Sequence, residues 1–546
     1  MRLIECVPNF SEGRDQKILD SIAAAVRSVE GVSLLDVDPG VATNRTVFTF
    51  VGEPEAVCEA AFRAASVGAE FIDMRGHHGA HPRIGAMDVC PLVPVSEVSL
   101  EECAEYARSL AKRIAEELEI PTYNYEAAAK CPERQNLAVV RSGEYEGLEA
   151  KLSDPNWAPD FGKAQYTERA AKSGASVVGA RDFLVAVNFN LNTTSTRRAN
   201  AIAFDVREKG RTVDGVQIPG TLKGCKAIGW FIEEYGIAQV SMNITDISTT
   251  PLHIAFDEVC RKAEARGIRV TGVEIVGLVP KSVLVDAGKH FLSKQQRSVG
   301  VGEDELVRIA VRSMNLSEIS EFDPQKKVIE YLIAPKCNRL IDMTCRGFAL
   351  ETASESPAPG GGSISAYMGA LGAALGAMVA NLSSHKRGWD DKWEYYSNYA
   401  VEGQELLTEL LGLVDEDTAA FNKIMDCFSM PKKSDEEKAA RSAALQAATL
   451  YATEVPLRTM RASVKVFDLV EAMAKDGNPN SVTDAGVGAL SARAAVIGAM
   501  LNVKINASGL SDKELAAKLI AEAEQIAKVA NAREAEILEI VNNKIQ

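Results

Sequence analysis

The sequence predicts a multidomain α/β plus all-α protein, with two ferredoxin-like (βαββαβ) α+β subdomains followed by an all-helical domain. Three observations predict it. Strand-like runs alternate with amphipathic stretches in the order β-α-β-β-α-β, and that order occurs twice before residue 277. Past residue 345 the strand-like runs disappear, and Ala-, Leu- and Glu-rich segments with helical spacing continue to the end. A length of 546 residues allows about three domains, each able to bury its own core.

The first repeat opens with a strand at 2–9 (RLIECVPN), an amphipathic helix at 14–29 and a strand at 31–37 (GVSLLDV). A strand at 45–52 (RTVFTFVG), a helix at 54–69 and a strand at 88–95 (DVCPLVPV) complete it. The second repeat runs through 182–191 (DFLVAVNFNL), a helix around 194–209, then 225–232 (CKAIGWFI) and 237–244 (IAQVSMNI). A helix at 252–266 and a strand near 268–276 close it. The expected organisation is two subdomains at 1–178 and 179–326, a linker at 327–344, and a helical domain at 345–546. Its helices are expected at 364–383, 396–427, 434–473, 484–503 and 511–541.

Apolar content of 46% and charged content of 25% are those of a soluble globular chain. A net charge of −15 argues against a nucleic-acid-binding surface but leaves anionic small molecules open. Ten cysteines without C-x-x-C spacing, and no signal peptide in MRLIECVPNF, point to a reducing cytoplasm. Residues 364–382 are uncharged over almost a bilayer's length, but Ala, Gly and Ser dominate them. A buried helix is expected there, with no membrane partner. Small-residue helix faces in this half also predict a homo-oligomer.

Residues 75–88, RGHHGAHPRIGAMD, hold His77, His78 and His81, three of six histidines. Gly76, Gly79, Pro82 and Gly85 mark an irregular loop, and no Cys, Asp or Glu lies between Gly76 and Met87 to complete a metal shell. Three readings stay open on the residues: a metal site short of ligands, solvated loop histidines, or a general acid/base, for which an imidazole's near-neutral pKa is suited. Arg83 could hold a carboxylate, and Asp38 or Asp88 could orient a ring.

In 406–425, LLTELLGLVDEDTAAFNKIM, a helical projection places Leu406, Leu410, Val414, Phe421 and Ile424 on one face. Asp417 falls within that stripe, while Asp415 and Glu416 point elsewhere. A carboxylate on an apolar face has its pKa raised by desolvation, which suits either a general acid/base or a buried structural hydrogen bond. Before residue 364, PAPGGGS (357–363) would leave free N–H groups at a helix start. The G-K-[ST] ending of a nucleotide loop is missing.

Several long motifs together resemble the formiminotransferase-cyclodeaminase family. In the first half they are ECVPNFSEGRD (5–15), LLDVDPGVATNRTVFTFVG (34–52), HHGAHPRIGAMDVCPLVPV (77–95), WAPDFG (157–162) and VGARDFLVAVNFN (178–190). In the second half they are APGGGSISA (358–366), GALGAAL (369–375), LVDEDTAAF (413–421), MPKKSDEEKAARSAALQ (430–446), NSVTDAGVGA (480–489) and LNVKIN (501–506).

The resemblance implies transfer of a formimino group from N-formimino-L-glutamate to N5 of tetrahydrofolate, a co-substrate. It implies a second step, closure to 5,10-methenyltetrahydrofolate with loss of ammonia, and no metal. The family's catalytic histidine falls on His81, its DVD acid on Asp38 and its cyclodeaminase acid on Asp417. Asn44, Arg45 and Arg83 are chemically suited to carboxylate and amidine contacts. The family's folate segment maps to 162–174, with Gly162, Lys163, Gln165, Tyr166, Ser173 and Gly174 as candidates, although this stretch is longer and more charged than the vertebrate type.

In the second half the implied folate contacts are Gly360, Gly361, Gly362, Ser363, Asn480, Ser481, Asp484, Asn502 and Asn506. Lys163, Lys172, Lys326, Lys327, Lys432 and Lys433 are candidates for carrying a polyglutamate tail. Three alternatives stay open: a cyclohydrolase in the helical half, a formyl donor, or one half acting as a catalytically silent folate-binding or regulatory module.

Overall fold

The computed structural model describes residues 2–41, 43–79, 82–334 and 339–545. It divides into two compact units, the first made of 1–284 and 311–334, the second of 285–310 and the C-terminal helices.

The first unit contains two sheets. One is built from β1 (Leu3–Cys6), β2 (Asn9–Phe10), β3 (Val32–Gly40), β4 (Arg45–Gly52), β5 (Met87–Ser96), β6 (Thr122–Glu126) and β7 (Ser176–Ala180). Its spatial order is β3, β4, then β1 and β2 in line, β5, β7 and β6. Pairing is antiparallel as far as β5, while β7 lies parallel to both β5 and β6. Alternation along the strands sends Ile4, Cys6, Phe48, Phe50, Cys90 and Leu92 into one core. Helices α1 (Gln16–Arg27), α2 (Pro54–Phe71) and α3 (Leu100–Glu117) contribute Leu19, Ala61 and Ile114 to the same core. Each helix start is set locally: Asp15 caps α1, Pro54 opens α2, and Ser99 with Glu102 forms a capping box on α3.

The second sheet consists of β8 (Val185–Leu191), β11 (Cys225–Ile232), β12 (Ile237–Ile244) and β13 (Val270–Val276) in the antiparallel order β11-β12-β8-β13. A hairpin of β9 (Arg211–Val213) and β10 (Val216–Ile218) interrupts the chain before β11. Helix α4 (Thr196–Val206) packs on β11 and β12, and α5 (Leu252–Glu264) packs on β13. Asn188, Asn190 and Gln239 are buried within this sheet, on the opposite side of their strands from Val187, Phe189 and Val240. Trp230 donates to Gln239, Gln239 to Asn190 and Asn190 to Glu318 at 3.0, 2.8 and 2.7 Å, while Asn188 donates to Glu274 at 2.8 Å.

Two helices, α6 (Lys281–Lys294) and α7 (Glu303–Ser313), precede the helical half. That half contains α8 (Gly361–Ser384), α9 (Trp393–Ser429), α10 (Asp435–Asp476), α11 (Val482–Ala507) and α12 (Lys513–Ile545). Glycines allow α8 and α11 to approach closely: a β-carbon at Gly372 would lie 2.9 Å from the Gly488 carbonyl oxygen. Leu410, Leu413, Val414, Val466, Phe467 and Leu469 fill the bundle core. Gly361–Ser384 and 479–507 are each long and apolar enough to cross a membrane, and most of the apolar window of the former is buried in the bundle.

Three features depart from expectation. Helix α3 and strands β6 and β7 extend the first sheet beyond its βαββαβ repeat, and residue 178 lies inside β7. Residues 285–310, expected in the second α+β subdomain, pack with the helical unit, where Asn381 donates to the Gly300 carbonyl at 2.7 Å.

Candidate active sites

The first candidate site is built around the histidine loop. His81 and Ala80 lie outside the described residues, and nearby His77, His78 and Arg83 are held by hydrogen bonds. Asn44 adopts a positive φ of 46°, which asparagine tolerates, and its side chain accepts from Gly13 N–H at 3.0 Å and donates to the His78 carbonyl at 3.1 Å. Its own carbonyl meets His77 Nε2 at 2.8 Å. Arg83 Nε lies 3.3 Å from His77 Nδ1. Arginine can only donate, so His77 Nδ1 accepts and Nε2 carries the hydrogen. Burial, reinforced by the Arg83 charge, holds the His77 pKa below its ordinary value against the opposing Asn44 hydrogen bond. His77 is therefore a neutral fixture of the loop.

Arg83 also reaches Glu146 at 2.6 Å and Glu144 at 3.2 Å, and the hydrogen bond to Glu146 is the main cause of its raised pKa. A cavity of about 420 Å³ opens here, lined by His78, Gly79, Arg83, Gly143, Glu144 and Glu146. Downstream, Asp88 is fully buried; it accepts from Ile84 N–H at 2.9 Å and from Arg141 at 2.7 Å. Arg45 donates to Asn9 Oδ1 from Nε at 2.9 Å, and burial lowers its pKa to about 10. Asp38 is exposed on β3 opposite Val47, and with Asp36, Glu274 and Lys327 it lines a second cavity of about 270 Å³. Burial, followed by the charge of Asp38, raises the Asp36 pKa.

The second candidate site lies at the N-terminus of α8. Asp417 of α9 accepts from Ser363 Oγ at 3.0 Å, with a further hydrogen bond from the Ser363 backbone. Those bonds favour the carboxylate, but burial outweighs them and the Asp417 pKa is raised. A cavity of about 130 Å³ adjoins it, lined by Gly360, Gly361, Gly362, Thr418, Phe421 and Asn502 among others. The apolar stripe of α9 explains the position: Leu406, Leu410 and Val414 are buried in the bundle, while Phe421 and Ile424 line the cavity. Asp417 sits where the stripe leaves the core. Among the described residues, no group of three or more His, Cys, Asp or Glu is arranged to hold a metal ion.

Comparison with known proteins decides the family. Residues 3–181 match the formiminotransferase domain, N-terminal subdomain; 186–334 match the formiminotransferase domain; and 344–525 match formiminotransferase-cyclodeaminase. The formimidoyltransferase-cyclodeaminase of Mus musculus is 41% identical, covering 94% of this chain and 93% of its own. This chain belongs to the formimidoyltransferase-cyclodeaminase family. Other relatives match its halves separately. A glutamate formimidoyltransferase of Streptococcus pyogenes is 43% identical over 53% of this chain and 93% of its own. A methenyltetrahydrofolate cyclohydrolase of Methylorubrum extorquens is 40% identical over 35% of this chain and 93% of its own.

Within this member of the family, Gly360, Gly361, Gly362, Ser363, Asp417, Asn502 and Asn506 come together at one end of the bundle. Asn480 and Ser481 precede α11 and Asp484 lies in its first turn, whereas Asn502 and Asn506 lie near its last. At 1.5 Å per residue the two groups are about 30 Å apart on one straight element, so they do not share a cavity within this chain. The amide nitrogens of Asn502 and Asn506 are engaged by the Gly498 and Ala452 carbonyls at 2.9 and 2.7 Å.

In the 162–174 segment, Lys163 pairs with Glu119 at 3.2 Å, Gln165 is exposed, and the Tyr166 hydroxyl meets that of Tyr145 at 3.2 Å. Ser173 is buried and its carbonyl accepts from Ala86 N–H at 2.7 Å. Gly174 has φ +70° and forms a bridge with Gly85, while Gly162 has φ +98°. Ser173 and Gly174 therefore form a backbone seam beneath the outgoing arm of the histidine loop. Arg83, expected on substrate, binds glutamates of its own chain. Sequence reasoning missed Glu144 and Glu146, where the only signal was two acids between glycines in GEYEG (143–147), and it missed Asn9 and Thr418.

Proposed function

We propose that this chain is a bifunctional folate enzyme. It transfers the formimino group of N-formimino-L-glutamate to N5 of tetrahydrofolate, then closes 5-formimidoyltetrahydrofolate to the 5,10-methenyl form with loss of ammonia. The observation that carries this reading is the match of one chain to bifunctional relatives over nearly its whole length, with a desolvated Asp417 at the helical site.

In the first step N5 attacks the formimino carbon, its proton passes to His81, and His81 returns it to the departing amine of glutamate. Asp38 holds the imidazolium or the amine, and Asn44, Arg45 and Arg83 shape the donor's site. In the second step N10 attacks the same carbon. Asp417 takes the N10 proton and delivers it to the nitrogen that leaves as ammonia; its raised pKa brings it toward the working pH. We assign the pterin to the cavity beside Asp417, lined by Gly360 and Gly361. Neither step as written uses a metal.

The strand orders β3-β4-β1-β5 and β11-β12-β8-β13 support reading the two sheets as ferredoxin-like, and we take 327–344 as a linker and 345–546, joined by 285–310, as the cyclodeaminase unit. Leu371, Met378 and Leu382 of α8 and Val487 and Leu490 of α11 are exposed on adjacent helices, which supports a homo-oligomer. We place the enzyme in the cytoplasm and in histidine degradation, the source of a formimino-glutamate donor. The likeness to a cyclohydrolase favours one second reading, in which the helical half opens methenyltetrahydrofolate with water.

The deciding experiment supplies purified protein with N-formimino-L-glutamate and tetrahydrofolate. Methenyltetrahydrofolate absorbance with stoichiometric ammonia is expected. His81→Ala should abolish glutamate release, and Asp417→Ala should leave 5-formimidoyltetrahydrofolate accumulating. Glutamate release without ammonia, together with hydrolysis of added methenyltetrahydrofolate, would establish the cyclohydrolase reading instead.

A further inference from the structure

We propose that Ser363 is a positioning residue for Asp417, its hydroxyl changing partner as Asp417 gains and loses its proton, so that one heavy-atom arrangement serves both protonation states. This deepens the reading of Asp417 as the proton carrier of the helical site.

The argument is one of donors and acceptors. Ser363 is fully buried in the first turn of α8, and its Oγ has two acceptors at equal distance: Val414 O at 3.0 Å and Asp417 Oδ2 at 3.0 Å. A third oxygen, Thr418 Oγ1, lies at 3.4 Å. A serine hydroxyl has one hydrogen and two lone pairs, so it cannot donate to both acceptors at once.

When Asp417 is ionised, Ser363 donates to Oδ2 and accepts from Thr418. When Asp417 is protonated on Oδ2, that O–H donates to Ser363 Oγ and the serine hydrogen turns to the Val414 carbonyl, which has a lone pair beyond its helical bond. The change is a rotation about Cβ–Oγ. Protons balance over the cycle: Asp417 receives one from N10 and gives one to the departing nitrogen, while Ser363 keeps its own. Such a hydroxyl avoids a buried unsatisfied group in either state and needs no reorganisation as the proton moves.

The surroundings isolate this pair. Gly361 and Gly362 of α8, Phe421 and Ile424 of α9, Ala452 of α10 and Asn502 and Asn506 of α11 face it, and Asp417 is the one titratable group among the described residues lining the cavity. Neighbouring charges are engaged elsewhere: Asp415 accepts from Leu340 N–H at 2.7 Å, Glu416 binds Tyr451 at 2.8 Å and Arg458 at 2.5 Å, and Lys423 lies over the Tyr451 ring.

The test uses the full chain with Ser363→Ala, Ser363→Cys and Ser363→Thr, and 5-formimidoyltetrahydrofolate as substrate. Ammonia release is followed across pH, with formimino transfer by the same preparation as a check on integrity. The acidic limb of kcat should move up by about one pH unit in Ser363→Ala, less in Ser363→Cys, and stay in place in Ser363→Thr. KM should change little while plateau kcat falls about tenfold in the alanine variant. A limb at the wild-type position in all three variants overturns the proposal. Asp417 carboxyl titration, read by carbon NMR, separates the two claims. Wild type that releases no ammonia removes the cyclodeaminase reading, whereas identical Asp417 titration in wild type and Ser363→Ala removes the role of Ser363.

Discussion

Gly362 and Asp417 touch: a β-carbon built at residue 362 would lie 2.1 Å from Asp417 Oδ1 and 2.5 Å from its carboxyl carbon. In most helices alanine is better than glycine by roughly 0.5–1 kcal/mol. Here the added methyl must displace the carboxylate. Gly362→Ala is expected to cut ammonia release at least tenfold while formimino transfer continues unchanged. Measuring both activities on one preparation checks it, and full ammonia release would show that the carboxylate can retreat without loss.

The seam under the histidine loop gives a second test. Gly174 has φ +70° and ψ −148°, a region open essentially to glycine, and a β-carbon there would lie 2.3 Å from the Ile84 carbonyl oxygen. Backbone strain alone costs on the order of 1–3 kcal/mol. Gly174→Ala should lower the melting temperature and abolish formimino transfer, because Ile84 and Gly85 continue the loop that carries His81. A fully active variant would uncouple seam from loop.

Arg83 ties the loop to Glu144 and Glu146, and its Nε fixes the tautomer of His77. Arg83→Met keeps the stem's volume and removes every one of these bonds. Formimino transfer should fall at least tenfold with ammonia release from added 5-formimidoyltetrahydrofolate intact. Glu146→Gln keeps an oxygen for Arg83 and should be milder. The two variants behaving alike would count against the fork as the anchor.

Glu5, on β1, is buried, and desolvation lifts its pKa from 4.5 to about 7, the Glu330 charge adding to the rise while Arg181 opposes it. For an acid with a raised folded-state pKa, stability is greatest below the unfolded value and is lost as pH rises through the folded one. Wild type should therefore lose stability between about pH 4.5 and pH 7, on the order of 3 kcal/mol from this group. Glu5→Gln should melt higher than wild type at pH 8 and match it near pH 4.5. A constant difference across that range would assign the effect to packing.

Local pattern carried the architecture where period and length agreed. RTVFTFVG, rich in β-branched and aromatic residues, forms β4, and the five long helical segments all appear as helices. TYNYE (122–126) and SVVGA (176–180) were missed because five residues carry too little periodicity to distinguish a strand from a loop. Asp417 was legible because a carboxylate interrupts an apolar stripe. Its hydrogen bond with Ser363, a residue expected only as a folate contact, was not, since 54 positions separate them and only the packing of α8 on α9 brings them within reach. The distance between Asp484 and Asn502 was legible in principle: an unbroken helical pattern between them fixes their separation by rise per residue.

Strand β7 lies between β5 and β6, and among the described residues it is the one strand paired with β6. On a ribosome adding roughly 5–20 residues per second, β6 emerges several seconds before the segment that will hold it. Without β7 the first sheet would end at β5, and β6 would have no strand partner among the described residues. A fragment stopped at residue 178 would remove Gly179 and Ala180, which pair with Tyr125 and Glu126 on one side and Pro91 and Leu92 on the other. The last strand to arrive thus completes the edge, and the loop carrying His81 gains its lower support only once that late insertion has taken place.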